Sequence, residues 1–299
     1  MATARGHCRG AFGIAIALSI AAYCTAARAQ VGDRNFIEPF ITEDPNPSNE
    51  LELQPAWNRA AGASNFQFAF SQEKTLSPTF SIEIGDAVNR FSRTHEASVS
   101  GMSDLQILPK WAFYTSVEHE MRIALGAEIF PSTGDIPTGA YSHTRAGPML
   151  MFAKGAGDLP DTGLARYLRP LALQADAGYL PTWRGPESDF LFADACIAYQ
   201  FYYLSKSGLA LPIASQLDRL APFVEFDYQQ IAFGSRFNTP PDFRVTPALA
   251  YGTDTYQMTV GAQVGINSTG NANNRGAVLV LLDLYMDRLW PAVFGWNPL

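Results

Sequence analysis

GMSDLQILPKWAFYTSVEHEMRIALGAEIFPSTGD, residues 101–135, reads as one β-hairpin with a polar turn at Ser116 to Glu120 and a Pro-Ser-Thr-Gly stop. In the second arm Met121, Ile123, Leu125, Ala127 and Ile129 share one parity, and Arg122, Ala124, Gly126 and Glu128 the other. Period two belongs to a strand with two unlike faces. One face is uncharged, whereas the other carries small residues and opposite charges. A membrane barrel, with lipid outside and a wet lumen inside, requires that division.

The chain around this hairpin is 299 residues long. It opens with Arg5 and Arg9, an apolar run from Ala11 to Ala22, and Ala27-Arg28-Ala29 before Gln30. These are the three regions of a secretory signal peptide, with cleavage expected after Ala29. The run is shorter than the roughly 20 residues that span a bilayer as a helix. Without the leader the chain carries 18 basic against 28 acidic side chains, a formal charge of −10, which disfavours nucleic acid as a partner. Only Cys196 remains of three cysteines, so no internal disulfide is expected. Three parts follow: a signal peptide over 1–29, an irregular, proline-bearing periplasmic lead-in over 30–50, and one barrel over 51–299.

Other segments repeat the alternation. Phe66, Phe68 and Phe70 with Phe80, Ile82 and Ile84 oppose Gln67, Ser71, Ser81 and Glu83 across a turn at Leu76-Ser77-Pro78. Val224, Phe226 and Tyr228 oppose Glu225, Asp227 and Gln229, and Tyr256 to Ile266 sets Met258, Val260, Ala262 and Val264 against Gln257, Thr259, Gly261 and Gln263. Strands are also expected over 51–57, 145–154, 167–179, 190–203, 244–251 and 276–285. The total is about twelve, an even number that returns both termini to the periplasm. Short and long connections should alternate. Prolines 55, 109, 148, 170 and 247 are expected at strand ends or bulges, because proline removes a ladder hydrogen bond. The fold class is therefore all-β, an antiparallel transmembrane β-barrel of about 12 strands.

Alternation also fits a soluble periplasmic β-barrel binding protein, whose apolar parity would face a core. The export signal, charges kept to one parity, and aromatics near strand ends (Trp57, Tyr179, Trp183, Tyr251, Tyr256) favour the membrane. Moreover, GMSDLQILPKWAF followed by MRIALGAEIFPSTGD resembles the Gly-Asp-Leu strand, short turn and second strand of the meta-pathway phenol-degradation family of outer-membrane transporters. FITEDPNPSNELEL and LLDLYMDRLWPAVFGWNPL are similar to that family's acidic lead-in and aspartate-bearing final strand. The resemblance implies an outer-membrane barrel taking up hydrophobic or aromatic compounds.

The inward parity supplies the pore-lining candidates: Glu52, Glu83, Glu128, Asp176, Asp194, Glu225 and Asp227 against Lys110, Arg122 and Arg244. Either these acids and bases pair across the lumen and close it, or an acid-leaning lumen forms a narrow passage with mild cation preference. No catalytic set, cofactor or metal site is expected. His95, His119 and His143 fall in loops or turns; Ser142 and His143 are adjacent, but neighbours on an extended chain point to opposite faces. Cys196 reads as an inert small residue. Expected partners are outer-membrane lipid, small-molecule solutes and the barrel-assembly machinery. The reading is a passive channel, against a structural or adhesive barrel without transport or an outer-membrane hydrolase.

Overall fold

The computed structural model describes residues 30–31, 34–60, 62–206, 217–233, 240–296 and 298; the signal peptide lies outside them. Twelve strands follow the alternating segments: β1 (Glu50–Ala60), β2 (Ala63–Ser77), β3 (Phe80–Arg93), β4 (Gln106–Ser116), β5 (Met121–Phe130) and β6 (Arg145–Gly155). Then come β7 (Leu171–Leu180), β8 (Asp189–Tyr199), β9 (Leu220–Phe233), β10 (Asp242–Gly252), β11 (Tyr256–Gly265) and β12 (Gly276–Tyr285). Each pairs antiparallel with the next, and β12 pairs with β1, so the sheet closes on itself. A closed twelve-stranded antiparallel barrel leaves no free edge.

The side chains settle which parity faces out. Ile84, Leu125, Leu150, Ile197, Leu249 and Val260 are 43–50% exposed, while their inward neighbours Glu83, Ala124, Met151 and Cys196 are buried. A soluble barrel would invert this pattern, so the soluble alternative fails and the fold is that of a transmembrane barrel. Several charges break the rule of a single charged parity: Lys74, Arg90 and Lys154 stand opposite outward residues, and Asp86, on β3 between Ile84 and Val88, takes the outward side and accepts from the N–H of Ala87 at 2.6 Å.

Several expected boundaries move. The first arm of the opening hairpin is two pieces: Val99–Met102 pairs with β3, and β4 begins at Gln106. Asp104 between them accepts from the N–H groups of Thr133 and Gly134, both at 2.9 Å, and of Tyr141 at 2.6 Å, tying together two far-end loops. The strand expected to reach 203 stops at Tyr199, and Phe201–Lys206 is helical. Prolines 55, 109, 148 and 247 lie inside strands, not at their ends. Pro55, Pro109 and Pro247 keep register with one neighbour (Phe68, Ile82 and Val224). On the other side, where the missing N–H would point, the ladder lapses. Strict alternation of short and long connections also fails: 156–170 and 200–219 are long at the end where the termini lie, and 61–62 is short at the far end.

The largest departure concerns the lead-in. It is irregular, as expected, but it lies inside the barrel rather than outside. Val31, Phe36, Ile37, Phe40, Thr42, Asp44, Asn46 and Ser48 are all buried. Ile37 and Phe40 join Phe223, Leu279, Leu281, Ala198 and Cys196 in one apolar cluster on the lumen wall. Phe40 fits because Gly261 has no side chain: a Cβ there would stand 2.5 Å from Phe40 Cε2 and 3.1 Å from both Ala248 Cβ and Thr246 Cγ2. We expect Gly261→Ala to destabilise the protein by about 1–3 kcal/mol, read as a lowered midpoint of gel heat-modifiability. Trimming Phe40 to Leu in that variant should restore the midpoint; an unaltered midpoint in Gly261→Ala alone would mean that Phe40 is not seated.

Candidate pore and plug

A chain segment without strand partners must satisfy its backbone polar groups elsewhere. Here the inward side chains do so. Glu225 accepts three successive N–H groups, from Phe40 (3.3 Å), Ile41 (2.9 Å) and Thr42 (2.6 Å). Asp176 accepts from Glu43 N at 2.7 Å and Glu73 from Ser48 N at 2.9 Å. Gln174 donates to Ile37 O at 3.0 Å and Gln54 to Phe40 O at 3.3 Å. Gln257 grips Glu38 on both backbone atoms, accepting from its N (3.1 Å) and donating to its O (2.7 Å). Residues 34–49 therefore form a plug anchored to at least five strands.

At the termini end the plug is clamped by Arg34, which is fully buried. Its guanidinium bonds Glu120 (3.0 Å), Gln200 (2.8 Å) and the carbonyls of Pro170 and Arg169, and lies 3.8 Å over the Tyr203 ring. The two unexpectedly long connections supply most of these partners. Beside them, hydrogen bonds from Lys154 (2.7 Å) and with His119 (3.2 Å) hold the Asp158 carboxyl below its usual range.

Above the plug a cavity of about 480 Å³ opens toward the far end, its floor made by Phe40, Ile41 and Glu43. Of the ten candidates, Glu52, Glu83, Glu128, Asp176, Asp194, Asp227 and Arg244 line it. Lys110, Arg122 and Glu225 do not. Glu225 is covered by the plug, Lys110 is buried among acids, and Arg122 bonds Thr115 Oγ1 at 3.1 Å lower in the wall.

Register places Asp176, Asp194, Asp227 and Arg244 opposite one another in a row across β7, β8, β9 and β10. Opposed side chains on one sheet face sit about 5 Å apart. Three adjacent acids thus end in one base, and that base bonds Asp242 instead of the row, Nε to Oδ1 at 3.1 Å. The acids hold donors: Asp194 accepts from Tyr228 N (3.3 Å) and Asp227 from Gln263 (2.8 Å). In this row the acids are held by backbone and amide donors and not by bases, and the plug lies across the lumen below them.

Lys110 pairs with Glu73 and Glu43, neither among the candidates. Glu73 was legible, since it shares the parity of Gln67 and Ser71; Glu43 sits in a segment without parity. Asp283 was hidden because both faces of β12 read as apolar, its inward Leu279 and Leu281 being packed on the plug. Cys196 is buried in that same cluster.

The three histidines are in loops or turns. His143 does touch Ser142, contrary to the expectation for extended neighbours: Ser142 Oγ lies 3.3 Å from Nδ1, and Glu187 Oε1 lies 2.7 Å from the same nitrogen. Ser142 also donates directly to Glu187. A hydrolytic relay needs serine and carboxylate on opposite ring nitrogens, so this cluster is not one.

The closed wall, apolar outer belt and polar lumen define a transmembrane β-barrel of the outer-membrane type. In fold the chain is similar to an outer membrane channel from Pseudomonas putida F1, with a TM-score of 0.56 at 9% identity over 83% of this chain and 99% of that one. Lesser likenesses are to the NanC porin (TM-score 0.49, 10% identity, 79% and 98% covered) and the KdgM porin (0.46, 10%, 79% and 98%). No family model and no curated protein matches the sequence.

Proposed function

We propose that this protein is an outer-membrane channel that passes small solutes passively from the exterior to the periplasm, with residues 34–49 as the element that restricts the path. The carrying observation is the acid-lined cavity, open at the far end and floored by the plug. Its carboxylates favour cations and cationic or polarised solutes over anions. Phe130, Tyr141, Phe192 and Tyr228 also line it. These rings give flat apolar contact surface, which agrees with the uptake of hydrophobic or aromatic compounds implied by the resemblance to the phenol-degradation transporters. The far end then faces the exterior, and both termini face the periplasm.

Selectivity in planar bilayers tests this reading. With a KCl gradient, the wild-type reversal potential should show cation preference, and Asp194→Asn combined with Asp227→Asn should move it toward zero. A wild-type barrel that passes no current under any applied voltage would favour the structural or adhesive alternative. An unchanged reversal potential in the double variant would remove the acid row from the conduction path.

A further inference from the structure

The carboxylates of Glu38, Glu50 and Glu52 converge near the termini end of the lumen, with one oxygen of each within 4.8 Å of the others. Glu38 belongs to the plug and the other two to β1. A fourth acid faces them. Asp283 on β12 stands directly opposite Glu52 in register and is 1% exposed. Neither of its carboxylate oxygens has a hydrogen-bond partner among the described residues. No base forms an ion pair with any of the four among the described residues; Lys110 is engaged by Glu73 and Glu43. Three convergent acids, with a fourth beside them in register that is fully buried with both oxygens empty, lack a counter-charge.

We propose that this group is a binding site for a divalent cation, Ca²⁺ by its chemistry. The donors are all hard oxygens, which select Ca²⁺ or Mg²⁺ over zinc or copper. Two oxygens on one Ca²⁺ at its usual bond lengths lie at most ~5 Å apart, so the observed spacing admits the ion. The site gathers ligands from three separate pieces of chain, and such assembly suits the flexible, high-coordination sphere of Ca²⁺ better than the strict octahedron of Mg²⁺. Gln257 fixes the backbone of Glu38, which holds that ligand in place.

The location gives the ion a task. β1 and β12 are the first and last strands of the barrel, and their ladder already lapses at Pro55. A cation held by Glu38, Glu50, Glu52 and Asp283 pins the plug to this closing seam.

The test uses the full-length protein purified in detergent, stripped with EDTA and dialysed. CaCl₂ alone is then titrated by calorimetry and by the midpoint of gel heat-modifiability. We expect one Ca²⁺ per chain with a Kd of about 10⁻⁴ M or tighter, weaker Mg²⁺ binding, and a midpoint raised by Ca²⁺. Glu38→Gln, outside the barrel wall, and Asp283→Asn, of equal shape, should each weaken Ca²⁺ binding by at least about tenfold.

In EDTA both variants should melt at or above the wild type, because each relieves like-charge repulsion; with Ca²⁺ the order should reverse. Absence of Ca²⁺ binding by the wild type, or binding unchanged in both variants as for ions held by bound lipid, would overturn the site. A midpoint raised only by acidification would also overturn it, since the carboxyls would then be sharing protons. These readouts are independent of conduction, so this assignment and the channel reading can fail separately.

Discussion

Deleting residues 34–48 should raise single-channel conductance several-fold while leaving a heat-modifiable barrel. A wall of about eight strands can be filled by its own side chains, and one of sixteen to eighteen holds an aqueous channel; twelve strands lie between, and here a segment of chain fills the difference. Every ladder of the twelve-stranded wall is independent of that segment, whose own pairing is the short one of Arg34–Asn35 with Gln30–Val31. What the deletion removes is the set of backbone donors on Glu225, Asp176 and Glu73, the Arg34 clamp on Glu120 and the Glu43 partner of Lys110, which keeps Glu73, together with the packing of Phe40 on Phe223, ring centres 6.1 Å apart. Water can replace the donors, because carboxylates freed into a wet lumen are readily hydrated. Conductance equal to that of the wild type in a correctly folded deletion would show that the plug does not restrict the path.

Lys110→Met should be the most destabilising single substitution in the lumen, by about 3–5 kcal/mol. Lys110 Nζ lies 3.0 Å from Glu73 Oε2 and 3.5 Å from Glu43 Oε2, with its side chain 3% exposed. Glu83 stands opposite Glu73 on the neighbouring strand. Methionine keeps the length and removes the charge, leaving three acids close together in a buried place. The loss is measured as a fall in the midpoint of heat-modifiability or of denaturant unfolding. Adding Glu73→Gln should recover part of it, since the two residues share one interaction and their effects are not additive. If Lys110→Met melts with the wild type, water reaches this group well enough to compensate, and Lys110 is not a structural counter-ion.

These two expectations depend on residues of different legibility. Lys110 was visible as an inward charge because β4 alternates: Leu108, Lys110 and Ala112 are buried while Trp111 and Phe113 are exposed. Its partners were not visible, since Glu73 lies two strands away and Glu43 belongs to the plug. The cluster Asp176, Asp194, Asp227 and Arg244 was likewise named one residue at a time, each from the parity of its own strand. That the first three form one row across the wall, and that Arg244 bonds Asp242 instead, is a matter of strand register. Register is fixed between neighbouring strands, by the connection that joins them and the burial of one face, and one strand's pattern alone does not give it. The prolines misled for a related reason. A ladder has two sides, and these strands tolerate proline by losing one side locally while keeping the other.

Alternation along the chain was enough to read the wall: which segments are strands, about how many, and which parity of each is apolar, while the exposure of Ile84, Leu125 and Val260 is what turned that parity outward. Alternation could do so because side chains of a strand alternate with period two regardless of the strand's neighbours. That FIEPFITEDPNPSN lies inside that wall, and that Glu38, Glu50 and Glu52 meet there with Asp283 in register beside them, came from the folded arrangement alone. The segment's backbone donors and acceptors are satisfied by side chains from strands up to 219 positions away. No local periodicity records partners supplied by the opposite end of the chain.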